Sequence, residues 1–422
     1  MSRKDDEPVH AIAEAVARRS YGKLVAFLAA RSGDVAGAED ALSDAFAAAL
    51  RDWPASGVPG NPEAWLMVVA RRKTIDAARR RRFGDDIAPD LRLIAEELDA
   101  AATADRSIPD ERLRLMFACA HPAIDAGIRA PLILQTILGF DAATIASAFL
   151  IAPATMGQRL VRAKTKIRQA GIPLRIPDPS ELRERLDAVL EAIYAIFAEG
   201  WSDPAGAEAR RRNLAEEGIW LGRLVVSLLP DEPEALGLVA LMLHAEARRA
   251  ARRDVQGDYV PLAEQDPALW NAALIDEAET LLFRASRMAA IGRYQLEAAL
   301  QSAHVVRRRT GRADWPAIER IYDTLWALTG SPVVAINRAV AIAENRQAAA
   351  GLAALDAVAG DARLLDYQPY WAARAGLLAR VGDWGGAEAA YQRAIGLEAD
   401  PAVRRFLQRQ QSLVAKPAAI GP

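Results

Sequence analysis

Apolar residues recur at spacings of three and four through one Ala-rich segment after another of this 422-residue chain. That period places them on one face of a helix, whereas a strand needs alternation of two. Long alternating runs of Val, Ile and Thr do not occur, and hairpin dipeptides are few. The fold class expected is all-α. Hydrophobic residues make up 52% of the chain, enough to fill more than one core, and the length predicts about two to four domains.

Residues 1–83 read as a small helical domain, with Arg18, Leu24 and Leu28 in a first helix or pair of helices. In "GAEDALSDAFAAALRDW", Leu42, Phe46, Ala49 and Leu50 share one face, and Glu39, Asp40 and Asp44 occupy the outer surface. The loop "PASGVPGNP" leads into "NPEAWLMVVARRKTIDAARRRR" (61–82). Its apolar opening, Trp65 and Leu66, packs against its own domain. Its seven basic residues from Arg71 to Arg82 face only Asp76, so its far end is suited to something negative.

Charge flips at Gly84. From Gly84 to Glu111 nine acids oppose Arg92 and Arg106, a net of −7; from Arg112 to Arg175 nine basic residues oppose Asp125 and Asp141, a net of +7. An acidic linker (84–111) therefore separates two modules with basic faces, a pattern that the overall net charge of −2 conceals.

The second module (112–175) contains "LILQTILGFDAATIASAFLIAPATMGQRLVRAKTKIRQAG". Pro131 suits a helix start, Leu132 to Leu138 form the body, and Gly139 ends it. Asp141 caps a short helix running through Phe149, Leu150 to Ala152 make a turn, and Pro153 opens the next helix. That last helix divides cleanly. Met156, Leu160, Ala163 and Ile167 form a core stripe, and Thr155, Gln158, Arg159, Arg162 and Lys166 form a neighbouring stripe of donors and cations with no acid. Helix, turn and a helix so divided are what major-groove reading requires.

Pro173, Pro177 and Pro179 mark a boundary, and residues 176–422 continue as a long helical series. "DWPAIERIYDTLWALTGSP" (314–332) and "DWGGAEAAYQRAIGLEADP" (383–401) align without gaps at an offset of 69, with "NRQAAAGLAALDAV" from Asn345 a degraded copy between them. The offset is close to twice the ~34-residue period of tetratricopeptide helix pairs.

Little in the chain points to catalysis. Cys119 and His121 form a C-x-H pair with no second pair at metal-ligand spacing, and His244 lacks an H-E-x-x-H context. "RRDVQGDYVPLAEQD" lacks the alternation of a calcium loop and reads as a polar turn. No phosphate loop or nucleophile elbow occurs, so neither an enzyme nor a cofactor is expected. With one cysteine, no secretory pattern at the start and no apolar run of ~18 residues, the chain is expected in the cytoplasm.

The layout resembles that of bacterial RNA polymerase sigma factors of the extracytoplasmic-function type. "EDALSDAFAAALRDWP…PEAWLMVVARRKTIDAARRR" resembles sigma region 2, and the Leu132–Arg168 segment resembles region 4. "YAIFAEGW", "LLPDEPEALGLVALMLHAEARR", "YQLEAAL" and "SPVVAINRAVA" resemble the subgroup with a long tetratricopeptide-like extension. The resemblance implies that Arg71, Arg72, Lys73, Arg79 and Arg80 hold phosphates of the −10 element. It implies that Glu39, Asp40 and Asp44 dock on core RNA polymerase, and that Thr155, Gln158, Arg159, Arg162 and Lys166 meet the −35 element. The acidic linker would thread the polymerase channels, and the extension would tune activity by packing on the two modules or by receiving a protein or ligand. Thr144 stands where region 4 often has Glu, and the usual Gly of the turn is replaced within "AFLIAP". Two rivals remain at this level: a stand-alone DNA-binding regulator with a tetratricopeptide sensor, and a scaffold that binds only protein.

Overall fold

The computed structural model describes residues 6–81, 111–149, 151–201 and 209–414; the acidic linker, Glu111 apart, lies outside them. The described residues are helical throughout, with no strand and one isolated antiparallel bridge between Arg253 and Tyr259. The chain divides into two compact units, Met1–Ile196 and Phe197–Pro422.

In the first unit α1 (Asp6–Ser32), a single long helix, packs on α2 (Val35–Ser56) and α3 (Pro62–Arg81). Asp34 caps α2 by accepting from the Gly37 amide at 3.0 Å. The buried face of α2 is Ala38, Ala41, Leu42, Ala45, Ala48, Ala49 and Trp53. Phe46 of the expected face is half-buried and Leu50 exposed. Small residues carry the contact instead, letting helices come close.

The other described helices of this unit are α4 (Arg112–Cys119), α5 (Ala126–Leu138), α6 (Ala142–Ala148), α7 (Pro153–Gln169) and the first part of α8 (Pro179–Trp201). α5 begins five residues before Pro131, the start expected from sequence. Asp125 caps it by accepting from the Gly127 amide at 2.9 Å. Only the first four helical amides lack an intrahelical acceptor, so Pro131 gives up a single bond, to Gly127. α4 and α5 pack on α1, and α7 packs on α5, α6 and α2. Gly22 of α1 lies so close to α5 that an added Cβ would stand 2.0 Å from the Ile137 carbonyl oxygen. The Tyr21 ring lies against Gly139, whose φ of 66° ends α5 in the left-handed region.

The second unit holds α9 (Ala209–Leu228), α10 (Pro233–Ala247), α11 (Ala272–Ser286), α12 (Arg293–Thr310), α13 (Trp315–Thr329) and α14 (Pro332–Asn345). It continues with α15 (Ala348–Asp356), α16 (Gln368–Val381), α17 (Trp384–Leu397) and α18 (Pro401–Val414). α10 is buried nearly all round, as an apolar helix must be, and α9, α11 and α12 pack on it. From α12 onward each helix packs on the next. Asp314 and Asp383, at equivalent places in the two repeat copies, cap α13 and α17 through the amides three residues on. In each copy the following helix starts on proline, Pro332 or Pro401. The 252–266 stretch is more than a polar turn: Asp258 accepts from Arg405 and Arg409 of α18 at 2.6–2.8 Å, and the Tyr259 and Phe406 rings meet edge-on at 5.5 Å.

Candidate nucleic-acid interface

α3 is fastened at its start. The Asn61 side chain accepts from the Ala64 amide at 3.1 Å, and Pro62 supplies a fixed φ in the first turn. The Trp65 ring meets the buried Trp53 ring edge-on at 5.5 Å, and Leu66, Met67 and Ala70 are buried. Glu63 holds α3 to α1 by accepting from Ser20 and lying 3.8 Å from Lys23. The apolar opening therefore anchors the helix. Arg72 and Lys73 are exposed, Lys73 being 3.7 Å from Asp44; Arg71 is half-buried and partnered. The helix continues past Arg79 and Arg80, whose side chains lie outside the described residues.

α7 carries the second basic face. Met156, Leu160, Ala163 and Ile167 are buried, as their spacing predicts. Thr155, Gln158, Arg159, Arg162 and Lys166 are exposed, so the polar stripe faces solvent. Before it, Asp141 accepts from the Thr144 amide at 2.7 Å, which caps α6 and holds the Asp141 carboxyl below its usual range. Sequence reasoning missed Val161, an apolar side chain 66% exposed beside Gln158 and Arg162. Its position off the core stripe was the available signal.

The three surface acids of α2 have different surroundings. Asp40 and Asp44 are exposed. Glu39 is largely buried, with Oε2 paired to the Lys164 ammonium of α7 and Oε1 buried without a hydrogen-bond partner. Burial pushes its carboxyl above the usual range, and the attraction of Lys164 only partly opposes this. Burial, reinforced by Glu39 and Asp40, likewise raises the neighbouring Tyr21 phenol. A second pair, Arg168 with Asp34 at 3.6 Å, also joins α7 to α2. Neither Lys164 nor Arg168 stood out in the sequence, because no local pattern marks a partner more than a hundred residues away.

The C-x-H pair is structural. Cys119 is fully buried, 3.7 Å from the Thr136 hydroxyl, and burial pushes its thiol up to about 12; the His121 Nδ1 accepts from the Ala123 amide at 3.1 Å. No described helix is long and apolar enough to cross a membrane.

Comparison with known proteins gives three findings. The sigma-70 region 2 family matches residues 16–83, which span α2, α3 and most of α1. A family of unknown function (DUF6596) matches residues 185–286. An uncharacterized protein of Rhizobium meliloti (strain 1021) is 37% identical over 393 residues, covering 91% of each chain. No solved structure matches.

Proposed function

The chain belongs to the family of the Rhizobium meliloti protein, and we propose that it is a sigma factor that brings core RNA polymerase to particular promoters. The observation that carries this reading is the region 2 match on a domain whose basic helix α3 is anchored by Trp65 and Trp53 and presents Arg72 and Lys73 to solvent. Such a domain serves polymerase binding and promoter recognition, and it needs no chemistry of its own. Arg71, Arg72, Lys73, Arg79 and Arg80 are the proposed −10 phosphate contacts, and Asp40, Asp44 and Glu39 the proposed polymerase contacts.

We read residues 112–175 as a region 4-like helix-turn-helix, with α7 as the groove-reading helix. The exposure of its polar stripe supports this. Arg159 and Arg162 suit guanine or phosphate, Gln158 suits adenine, and Val161 suits a thymine methyl. The second unit is read as a tetratricopeptide-like regulatory extension. Support comes from the two repeat copies, each an Asp-capped helix beginning on Trp and followed by a helix beginning on Pro.

The test is transcription by core polymerase with the purified chain on a genomic DNA library, mapping the 5′ ends of the transcripts. The proposal expects ends that share one pair of upstream motifs. It expects Arg72→Ala with Lys73→Ala to lower their yield roughly tenfold through lost phosphate contacts. Ends scattered as with core enzyme alone would contradict it. Tight duplex binding without core enzyme would then favour the stand-alone regulator.

A further inference from the structure

Where α10 ends, the stretch "HAEARRAARRD" sets four arginines, Arg248, Arg249, Arg252 and Arg253, beside two acids, Glu246 and Asp254. Two of the four are neutralised. Arg249 forks onto both oxygens of Glu246 at 2.7 and 2.8 Å, and Arg253 pairs with Asp400 at 2.5 Å. Arg248 and Arg252 are half-buried, and their hydrogen bonds go to neutral oxygens. Arg248 donates to the His244 carbonyl at 3.3 Å and to the Gln301 side-chain oxygen on α12. Arg252 donates to the Trp201 carbonyl at 2.7 Å. Asp258 of the adjoining loop is already engaged by Arg405 and Arg409.

Desolvated cations without a counter-ion are costly, and two side by side repel. Burial first, then Arg252, lowers Arg248 to about 10, and burial lowers Arg252 as well. The compensation within the fold is small. The Arg252 guanidinium lies 4.2 Å from the Trp201 ring centre. The carbonyl end of α8 carries roughly half a negative charge, which Arg249 shares through Gly200 at 3.5 Å. Half a charge does not neutralise two guanidinium groups. Tyr259 stands in the same field. Its bridge to Arg253 and its edge-on contact with Phe406 fix the ring, and its half-buried hydroxyl makes no hydrogen bond among the described residues.

We propose that Arg248, Arg252 and Tyr259, together with the Gln301 amide, bind a phosphate group. Each of them offers a donor. Guanidinium forks fit pairs of phosphate oxygens, the phenol can donate to a further oxygen, and Gln301, whose oxygen already accepts from Arg248, has its NH2 left to donate. A carboxylate brings one charge and would leave one arginine uncompensated. A phosphate monoester brings about −1.5 to −2 at pH 7 and three strong acceptors, which matches the two arginines. Arg248, Arg252, Tyr259 and Trp201 lie within residues 185–286, so the site gives the segment of unknown function a ligand class. It lies wholly in the second unit and does not rest on the sigma reading.

The test is calorimetric titration of the full chain with inorganic phosphate and with phenyl phosphate at constant ionic strength, with chloride as the reference anion. The expected result is saturable binding of one phosphate per chain, with a matching rise in melting temperature. Arg252→Gln should weaken binding at least roughly tenfold, as loss of a charge-assisted bond does. Tyr259→Phe keeps the ring against Phe406 and removes only the hydroxyl, and should also weaken binding roughly tenfold. If Arg252→Gln does not fold, Tyr259→Phe alone decides. Tighter binding of phenyl phosphate would identify an ester as the ligand, and tighter binding of inorganic phosphate the free ion. Binding to the parent chain no stronger than that of chloride, or undiminished in Tyr259→Phe, would overturn the site. Neither result bears on polymerase binding, so failure here leaves the sigma reading standing.

Discussion

His244 sits on α10 with 1% of its surface exposed and neither ring nitrogen hydrogen-bonded; the half-exposed Glu279 carboxylate at 3.5 Å does not offset its burial. Burial first, then the neighbouring Arg248, lowers its pKa to about 4. The unfolded chain protonates near pH 6.5, so the neutral ring's stability contribution is complete above that pH and is lost as pH falls towards 4. The loss reaches about 3 kcal/mol. Denaturant midpoints from pH 7 to pH 4 should show it, and His244→Leu should flatten the dependence; an equally steep curve in that variant would contradict the assignment. At Gly22 two effects compete. Gly22→Ala gains about 1 kcal/mol of helix propensity, but its Cβ would sit 2.0 Å from backbone oxygen of Ile137, an overlap that a side-chain rotation cannot relieve. Overpacking against backbone costs about 1–3 kcal/mol or more, so net destabilisation is expected in a melting measurement. Nothing local in the sequence distinguished Gly22 from any other helical glycine, or Glu39 from Asp40.

Among elements, α7 was the most legible. Its buried stripe follows from spacing alone, because 3.6 residues per turn assigns a face without knowledge of the partner. On α2 the spacing holds for Leu42 and Ala49, which are buried, but alanines rather than Phe46 and Leu50 make the other close contacts. At the start of α5 the Asp125 cap outweighed the proline signal. The exposed arginines of α7 give a direct prediction. Arg159→Ala and Arg162→Ala should each lower the salt slope of duplex binding by about one without moving the melting temperature, since neither side chain is buried. A change in melting temperature with an unaltered slope would remove these residues from the interface.

For the whole molecule, helical class and the region 2 helices could be read from the sequence, whereas the grouping of modules could not. Spacing and caps act over a few residues, but the packing of α1 on α4 and α5, and of α7 on α2, joins segments separated by an acidic stretch that carries no record of it. The contact division also falls at Ile196, inside α8, and not at the proline cluster near Pro177. Arg185 of α8 is buried and donates to the Phe117 carbonyl at 3.5 Å, so a cut after Pro177 would strip part of the first unit along with the extension. The central claim is best tested without such cuts and without knowledge of any promoter. Labelled full-length chain is titrated with core RNA polymerase in the absence of DNA. Saturable binding that another sigma factor competes away is the expected result. No binding by the full chain would contradict the sigma reading.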